Sequence, residues 1–459
     1  MKKLYRYFLY VLPLVLFFSY FPVISLGGNE TMNFELSLPL IWLALFFILS
    51  LVMVVKKYKK QLFTKVFGNI LWWLFPLFAT LSICWSLNPL RSFLTVGVMW
   101  LLFFAVIAFY ELRENLDENF WKVFFRWFFS SALFVCAWCV VQCILDVNGA
   151  NQSASLLCDG CVSQMFGFPH PNGFAIEPQF MGNLLIAPIL VSVYFYIKNH
   201  NKKYLILFAI FAATLFLTFS RGAIYATVVG LVFLFSFAIA RAKKSEAKKV
   251  FFTTLKTLGV FVISFLFTLN LQGIFAASSP TSDTYADGVA KVLNHLSLGV
   301  VDVRGSEQFE PVENSTKPVE NSEAQEAIFD GYVAESTDTR VRLFKSAFEI
   351  WKKDFKTMAV GVGIGGAGQA LYNNGFSPAP KEIVQNEYAS LFLETGLVGV
   401  LLFIIIIVLA VKVALKNRKY AGLILSLMVA YAVTFLFFSG LPNALNIILI
   451  PGLLILLTL

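Results

Sequence analysis

Apolar runs of roughly twenty residues alternate with short, basic, polar segments along most of the chain. The runs fall at about 7–27, 36–55, 66–87, 92–110, 127–145, 174–197, 204–219, 222–240, 257–275, 388–411, 420–438 and 443–459. A stretch of this length crosses the ~30 Å hydrocarbon core of a bilayer as an α-helix. The pattern therefore predicts an all-α polytopic membrane protein of about twelve transmembrane helices. One long gap interrupts it. Residues 276–386 separate the ninth helix from the tenth, so the chain divides into helices 1–9 (1–275), an extracytoplasmic segment (276–386) and helices 10–12 (387–459).

Composition agrees with this reading: 58% of the 459 residues are apolar and 14% are charged. A soluble globular chain has about 45–50% apolar and about 25% charged residues. A soluble enzyme and a disordered scaffold are excluded, and so is an outer-membrane barrel, whose strands would alternate in ~10-residue segments. With a cytoplasmic N-terminus, 24 of the 36 basic residues fall in the inner segments, among them Lys56, Lys57, Lys243, Lys244, Lys248, Lys249, Lys412 and Lys416. Of the remainder, only Arg91 and Arg221 lie in short outer loops, and the others belong to a segment too long for the positive-inside rule to govern. The net charge of +9 is thus a signal of topology, not of nucleic-acid binding. Both termini are expected in the cytoplasm. The first apolar run follows Lys2 and Lys3 but is longer than a signal-peptide core, so it reads as an uncleaved helix.

Cys84, Cys136, Cys139 and Cys143 fall within predicted spans and read as small packing residues. Cys158 and Cys161, in CDGC, are expected to form a local disulfide in an oxidising outer loop. Within the long outer segment, about 303–335 is acidic, polar and nearly free of aromatics, as in a flexible insertion. After it, Val341, Phe344, Phe348 and Trp351 recur at helical spacing, predicting an amphipathic helix over about 339–355 against the membrane face. The run GVGIGGAGQ follows. Its Gly361, Gly363 and Gly366 match a nucleotide-binding spacing, but no strand precedes them and the expected side is wrong. A tight turn facing the lipid headgroups is the expected reading.

Ionisable residues near the outer ends of spans are the sharper chemical signal, because charge inside a bilayer costs ~2.5 kcal/mol or more without a partner or a water-filled cavity. Arg221 sits in TFSRGA at the turn between the seventh and eighth spans, Glu177 opens the sixth, and Glu394 enters the tenth. Their common depth predicts one outer-leaflet cavity.

At these residues the chain resembles the O-antigen polymerase and ligase superfamily. LTFSRGAIYATVVGLVFLF is similar to that family's SRGA helix, and DTRVRLFKSAFEIWKKDFKTMAVGVGIGGAG to its arginine helix and GVG turn. VQNEYASLFLETGLVGVLLF resembles its re-entry into the membrane, while SICWSLNPLRSF and PHPNGFAIEPQFMGN suit two earlier segments.

The resemblance implies a GT-C-like fold and a metal-independent, inverting glycosyltransferase that works without a cofactor at the outer face of the plasma (inner) membrane. Its donor would be a polyprenyl-diphosphate-linked glycan. Guanidinium groups suit a departing diphosphate, since they bind it bidentately and never deprotonate. Arg221 and Arg340 fill that role, with Arg342 as the alternative to Arg340 and with Ser220, Arg91 and Glu394 as further substrate contacts. The catalytic set also takes in Gln385, Asn386, Glu177 and His170. Gln385 stands where the family usually has histidine, and an amide cannot take a proton. His170 or Glu177 is left as candidate base, the alternative being positioning and leaving-group stabilisation alone. His295 reads as an exposed residue of the outer segment, and His200 as cytoplasmic. The missing histidine favours a polysaccharide polymerase over a ligase. A solute transporter is the alternative from another class, although transporters place charges near the midplane. A flippase and a chain-length regulator are the protein partners this reading implies, and membrane lipids surround it.

Overall fold

The computed structural model describes residues 1–20, 23–29, 32–59, 70–148, 169–278, 284–297, 339–416 and 420–438. The expected disulfide Cys158–Cys161, the acidic insertion and the twelfth span at 443–459 lie outside these residues.

The described chain is a helical bundle. In order it forms α1 (Lys2–Phe17), a hairpin of β1 (Val23–Asn29) and β2 (Met32–Ser37), α2 (Leu38–Tyr58), α3 (Leu74–Ser82), α4 (Pro89–Leu112), α5 (Glu118–Val147), α6 (Pro178–Asn199), α7 (Lys202–Leu217), α8 (Arg221–Arg241) and α9 (Lys244–Ser278). Then come α10 (Tyr285–Leu296), α11 (residues 339–351), α12 (Phe355–Val360), α13 (Ala367–Asn373), α14 (Glu387–Lys416) and α15 (Ala421–Thr434). Among the described residues, seven helices are long and apolar enough to cross a membrane: α2, α4, α5, α6, α8, α9 and α14. The remaining expected spans are occupied by the shorter helices α1, α3, α7 and α15.

Two boundaries differ from expectation. The first span ends at Phe17, not near residue 27, because the chain turns into the antiparallel hairpin, whose Ser25 faces Glu35. The hydrophobic run continued past the helix because Val23, Ile24 and Leu26 are strand residues, with Ile24 and Leu26 exposed. The expected span at 66–87 is broken. Short 3₁₀ turns flank α3, so only nine residues there are α-helical.

Burial is centred on α6, whose residues 181–193 are all buried, as a helix apolar on nearly every face requires. It packs against α7, α8 and α15. With no water between lipid-embedded helices, close approach depends on small residues. Gly182 of α6 is the clearest case: a Cβ there would press on Ser220 and Ala223 and on the Thr218 hydroxyl. The 35-residue α9 stands at the periphery and touches α7 and α10. α10 begins with a capping box in which Thr284 and Asp287 bond each other's backbone N–H. Gly288 lets it close onto Ala276 and the Gln272 carbonyl of α9.

Of the cysteines read as packing residues, Cys136, Cys139 and Cys143 are buried and Cys84 is exposed. The glycine run departs further from expectation. Residues 361–368 are buried inside the protein. Gly361, Gly363 and Gly365 all have positive φ, the backbone region that excludes most side chains. Their neighbours are backbone: Val362 N donates to Leu393 O at 2.9 Å and Gly363 N to Glu394 O at 3.0 Å. α14 bends at the same level, where Gly396 has φ +60° and lies against the Ala359 carbonyl. The loop is thereby stitched into the first turns of α14.

Candidate functional site

The site is built around the tight turn that joins α7 to α8. Thr218 closes α7, Phe219 takes a left-handed φ of +48°, and Ser220 caps α8 by accepting from the Ala223 N–H at 3.4 Å. A left-handed non-glycine residue is uncommon and strained. Here it turns the Phe219 carbonyl toward α10, where His295 Nε2 lies 3.2 Å away. Arg221 follows as the first residue of α8, half-buried. The amide dipoles of a helix N-terminus add positive field at that point.

His295, expected to be exposed, is 5% exposed. Its position was not legible because contacts with distant segments decide it: the helix that carries it is amphipathic, and its apolar face covers α9 and the Phe219 turn, 76 residues earlier. Burial, with Arg221 next and Arg340 a smaller contributor, holds its imidazole down at about 4.

Arg340 lies at the start of α11, half-buried. Its Nε donates to Gln385 Oε1 at 3.1 Å and its Nη2 to Gln179 Oε1 at 3.2 Å. Both acceptors are neutral amides, so these bonds orient the guanidinium without cancelling its charge. Gln179 in turn donates to Phe437 O at 2.9 Å. Gln385 holds its place with φ +56°, a second strained non-glycine residue. Arg342, two residues along the same helix, is exposed.

Asn386 is engaged on both sides. It donates to Leu436 O at 2.9 Å and accepts from the Ala389 N–H at 3.0 Å, capping the entry into α14. The Glu387 N–H donates to Phe435 O at 2.9 Å and Tyr388 Oη to Ala432 O at 2.7 Å. The carbonyls at the end of α15 are therefore taken up by the chain entering α14, a common way to satisfy the last turn of a helix.

The loop before α6 supplies the other expected residues. Glu177 is exposed at the helix start, in the field of Arg340. His170 is buried, its ring 5.6 Å from that of Phe219, and burial with the neighbouring His295 lowers it to about 3. This loop is held by Gln142 of α5, which donates to Asn172 Oδ1 at 2.9 Å and accepts from the Gly173 N–H at 2.8 Å. Gly173 has φ +62°, and Asn172 donates onward to Ala175 O. A buried amide network of this kind fixes a loop where no water competes.

Glu394 and Arg91, expected as substrate contacts, have another set of neighbours. The Glu394 carboxylate accepts from the Ala367 N–H at 3.2 Å, closing the glycine loop, and Arg91 lies in its field and beside Gly365 and Gly368. The structure brings Arg221, Arg340, Gln385, Glu177 and His170 into one neighbourhood with His295, and commits Glu394 to the loop. Gln179 and His295 are the residues sequence reasoning missed. Gln179 lies inside the quoted segment PHPNGFAIEPQFMGN, two residues after Glu177, and only the fold shows that its amide faces α11.

Residues 206–404 match the family model described as O-Antigen ligase. The chain carries an O-antigen ligase family domain. No match is found among curated proteins. The O-antigen ligase match begins in α7 and ends in α14, so it contains the Phe219 turn, Arg221, His295, Arg340, the glycine loop, Gln385 and Glu394. It excludes α6, with Gln179 and Glu177, and the loop that carries His170. The O-antigen ligase segment thus supplies both arginines, while the helices before it supply the wall they face.

Proposed function

We propose that the protein polymerises polyprenyl-diphosphate-linked glycan repeat units at the outer face of the plasma membrane. The observation that carries this reading is the Arg340 guanidinium held by two neutral amides, with Arg221 at the N-terminus of α8 as the second fixed cation. Two fixed guanidinium groups match a diphosphate, whose charge grows as the glycosidic C–O bond breaks. Stabilising that charge is the largest catalytic contribution such a site can make, and it requires no metal.

In this scheme Arg221 and Arg340 hold the diphosphate, Ser220 and the start of α8 support it, and Gln385 and Gln179 fix the angle of Arg340. Asn386 holds the α14 entry against α15. Attack from the face opposite the leaving diphosphate inverts the anomeric centre. Both termini lie in the cytoplasm, as the basic residues favour, and a flippase and a chain-length regulator would work with the polymerase. Gln385 favours a polymerase over a ligase, since an amide in place of histidine departs from the pattern the ligase reading relies on.

Deleting the gene and sizing the surface glycan tests the reading. Loss of a polymerase should leave single repeat units. Polymer accumulating on the lipid carrier would make the protein a ligase, and an unchanged glycan would favour a transporter.

A further inference from the structure

One end of the bundle carries basic residues at two adjoining turns. Lys202 and Lys203 follow the turn between α6 and α7, and Arg241, Lys243, Lys244, Lys248, Lys249 and Lys256 lie at or just after the turn between α8 and α9. Glu246 is the one acidic residue from 200 to 256. We propose that the exposed side of α9 at this end binds an anionic phospholipid, with Lys244 and Lys248 on its headgroup phosphate and Phe251 and Leu255 beside its acyl chains.

The register of α9 sets the depth. Ser264 Oγ donates to Ala209 O at 3.3 Å and Thr268 Oγ1 to Ala213 O at 3.2 Å, so α9 runs parallel to α7 at a constant offset of 55 residues. Carried back by that offset, Lys202 at the start of α7 stands level with Thr257 of α9. Residues 244–256 therefore project past the start of α7, by about 20 Å at ~1.5 Å per residue. The 16 residues of α7 rise about 24 Å, less than the ~30 Å hydrocarbon core. The first projecting turn of α9, with Leu255, completes the apolar thickness, and the turns before it stand among headgroups.

The two sides of the projecting segment differ. Lys244, Lys248, Phe251, Leu255, Leu258 and Val262 follow one another at helical spacing, and all are exposed. Thr253, Thr254 and Thr257, on the other side, are buried. Topology needs only the number of basic residues at this end, on whatever side of a helix they stand. Here two lysines one turn apart head an exposed apolar stripe on a peripheral helix. Lysine stems lie along apolar surface while the ammonium stays with the phosphate. Phe251 lies about 4.5 Å and Leu255 about 10 Å further along the axis than Lys248. That is the order of headgroup, glycerol and acyl chain in a phospholipid. Arg241, its guanidinium 4.7 Å from the Phe237 ring, adds a cation at the same turn. The summed positive field favours an anionic over a zwitterionic headgroup. The orientation proposed above makes this the cytoplasmic leaflet.

The test is thermal unfolding of the full chain in a neutral detergent, titrated with phosphatidylglycerol, phosphatidylcholine or inorganic phosphate. Phosphatidylglycerol should raise the midpoint to a plateau, and the other two should leave it unchanged. Lys244→Gln combined with Lys248→Gln should weaken apparent binding roughly 10- to 30-fold, since each lysine at an anionic lipid surface contributes about a fivefold factor. Lys2→Gln combined with Lys3→Gln removes the same charge from another helix and should change binding by less than about twofold. Lys244→Arg combined with Lys248→Arg keeps both cations and should bind within about twofold of the native protein, which separates lost charge from lost folding. Equal stabilisation by phosphatidylcholine overturns the proposal, as does native affinity in the Lys244, Lys248 glutamine pair or an equal loss in the Lys2, Lys3 pair. Stabilisation by inorganic phosphate alone overturns the lipid as occupant, and loss of binding in the arginine pair overturns the charge argument.

Discussion

Replacing Arg340 with lysine separates the charge of this residue from its geometry. The guanidinium spans two acceptors on different elements, Gln385 Oε1 at 3.1 Å before α14 and Gln179 Oε1 at 3.2 Å on α6. A lysine ammonium is a single nitrogen at the end of a flexible stem and cannot stand at both the Nε and Nη2 positions. At least one of the two charge-assisted bonds is therefore lost, and such a bond contributes ~1.5–3 kcal/mol. If the lost orientation is needed mainly in the transition state, the rate should fall roughly 10- to 150-fold at 1.36 kcal/mol per tenfold. Arg340→Ala, which also removes the charge, should fall further. Arg342→Ala, at an exposed position on the same helix, should change the rate by less than about twofold, as surface substitutions usually do. The assay is the initial rate of polymer formation in membranes of the complemented deletion strain, normalised to protein level. A lysine variant within twofold of native would refute the argument that the fork matters. Native rates in both Arg340→Ala and Arg221→Ala would refute the diphosphate clamp itself.

Gln385→Gly should keep the φ +56° backbone at little conformational cost but remove the Arg340 acceptor, so the thermal midpoint should hold while the rate falls about tenfold; equal losses of both would show that the side chain acts only in folding. Gly361→Ala would drive a Cβ into the Glu394 carbonyl at φ +71°, and the protein should lose ~2 kcal/mol or more, read as loss of the monodisperse peak in detergent chromatography. Gln142→Leu leaves the buried Gly173 N–H without its acceptor, with an expected loss of ~1–3 kcal/mol in thermal unfolding; an unchanged midpoint would remove Gln142 from the loop's support. His170 is held near 3 and His295 near 4, so the folded protein refuses protons that the unfolded chain binds below its ordinary value. Their contribution is full above about pH 6.5 and is lost as pH falls toward 4 and 3, at up to ~1.4 kcal/mol per pH unit for each group. His170→Gln should flatten the decline of the melting temperature between pH 6.5 and 5, and an unaltered slope would count against the burial argument.

The membrane-spanning helices were legible in the sequence because lipid imposes a simple rule: every backbone amide must bond within its own segment, so apolar length alone marks a helix. The helical spacing of Phe344, Phe348 and Trp351 falls on α11, although the helix ends at 351, short of 355, and buries Leu343, Ala347 and Ile350 while Phe344 stays exposed; the strings around Arg221 and Arg340 pointed to the O-antigen polymerase and ligase superfamily before any fold was known. What the sequence could not carry was anything set by contacts between distant segments. Hydropathy does not distinguish a helix from a strand, so the first span was read through into a hairpin. Glycine spacing does not say what the backbone approaches, and the GVGIGG loop proved to be bonded into α14 by Leu393, Glu394 and the Glu394 carboxylate. His295 looked like one polar residue in a polar segment. Its burial depends on the Phe219 turn, 76 residues earlier, adopting a conformation that no local preference favours. Single ionisable residues could be picked out from the cost of charge in a bilayer, but which neighbours each one meets depends on helix packing, and only the tertiary structure set Arg340 between Gln385 and Gln179 while turning Glu394 to the loop.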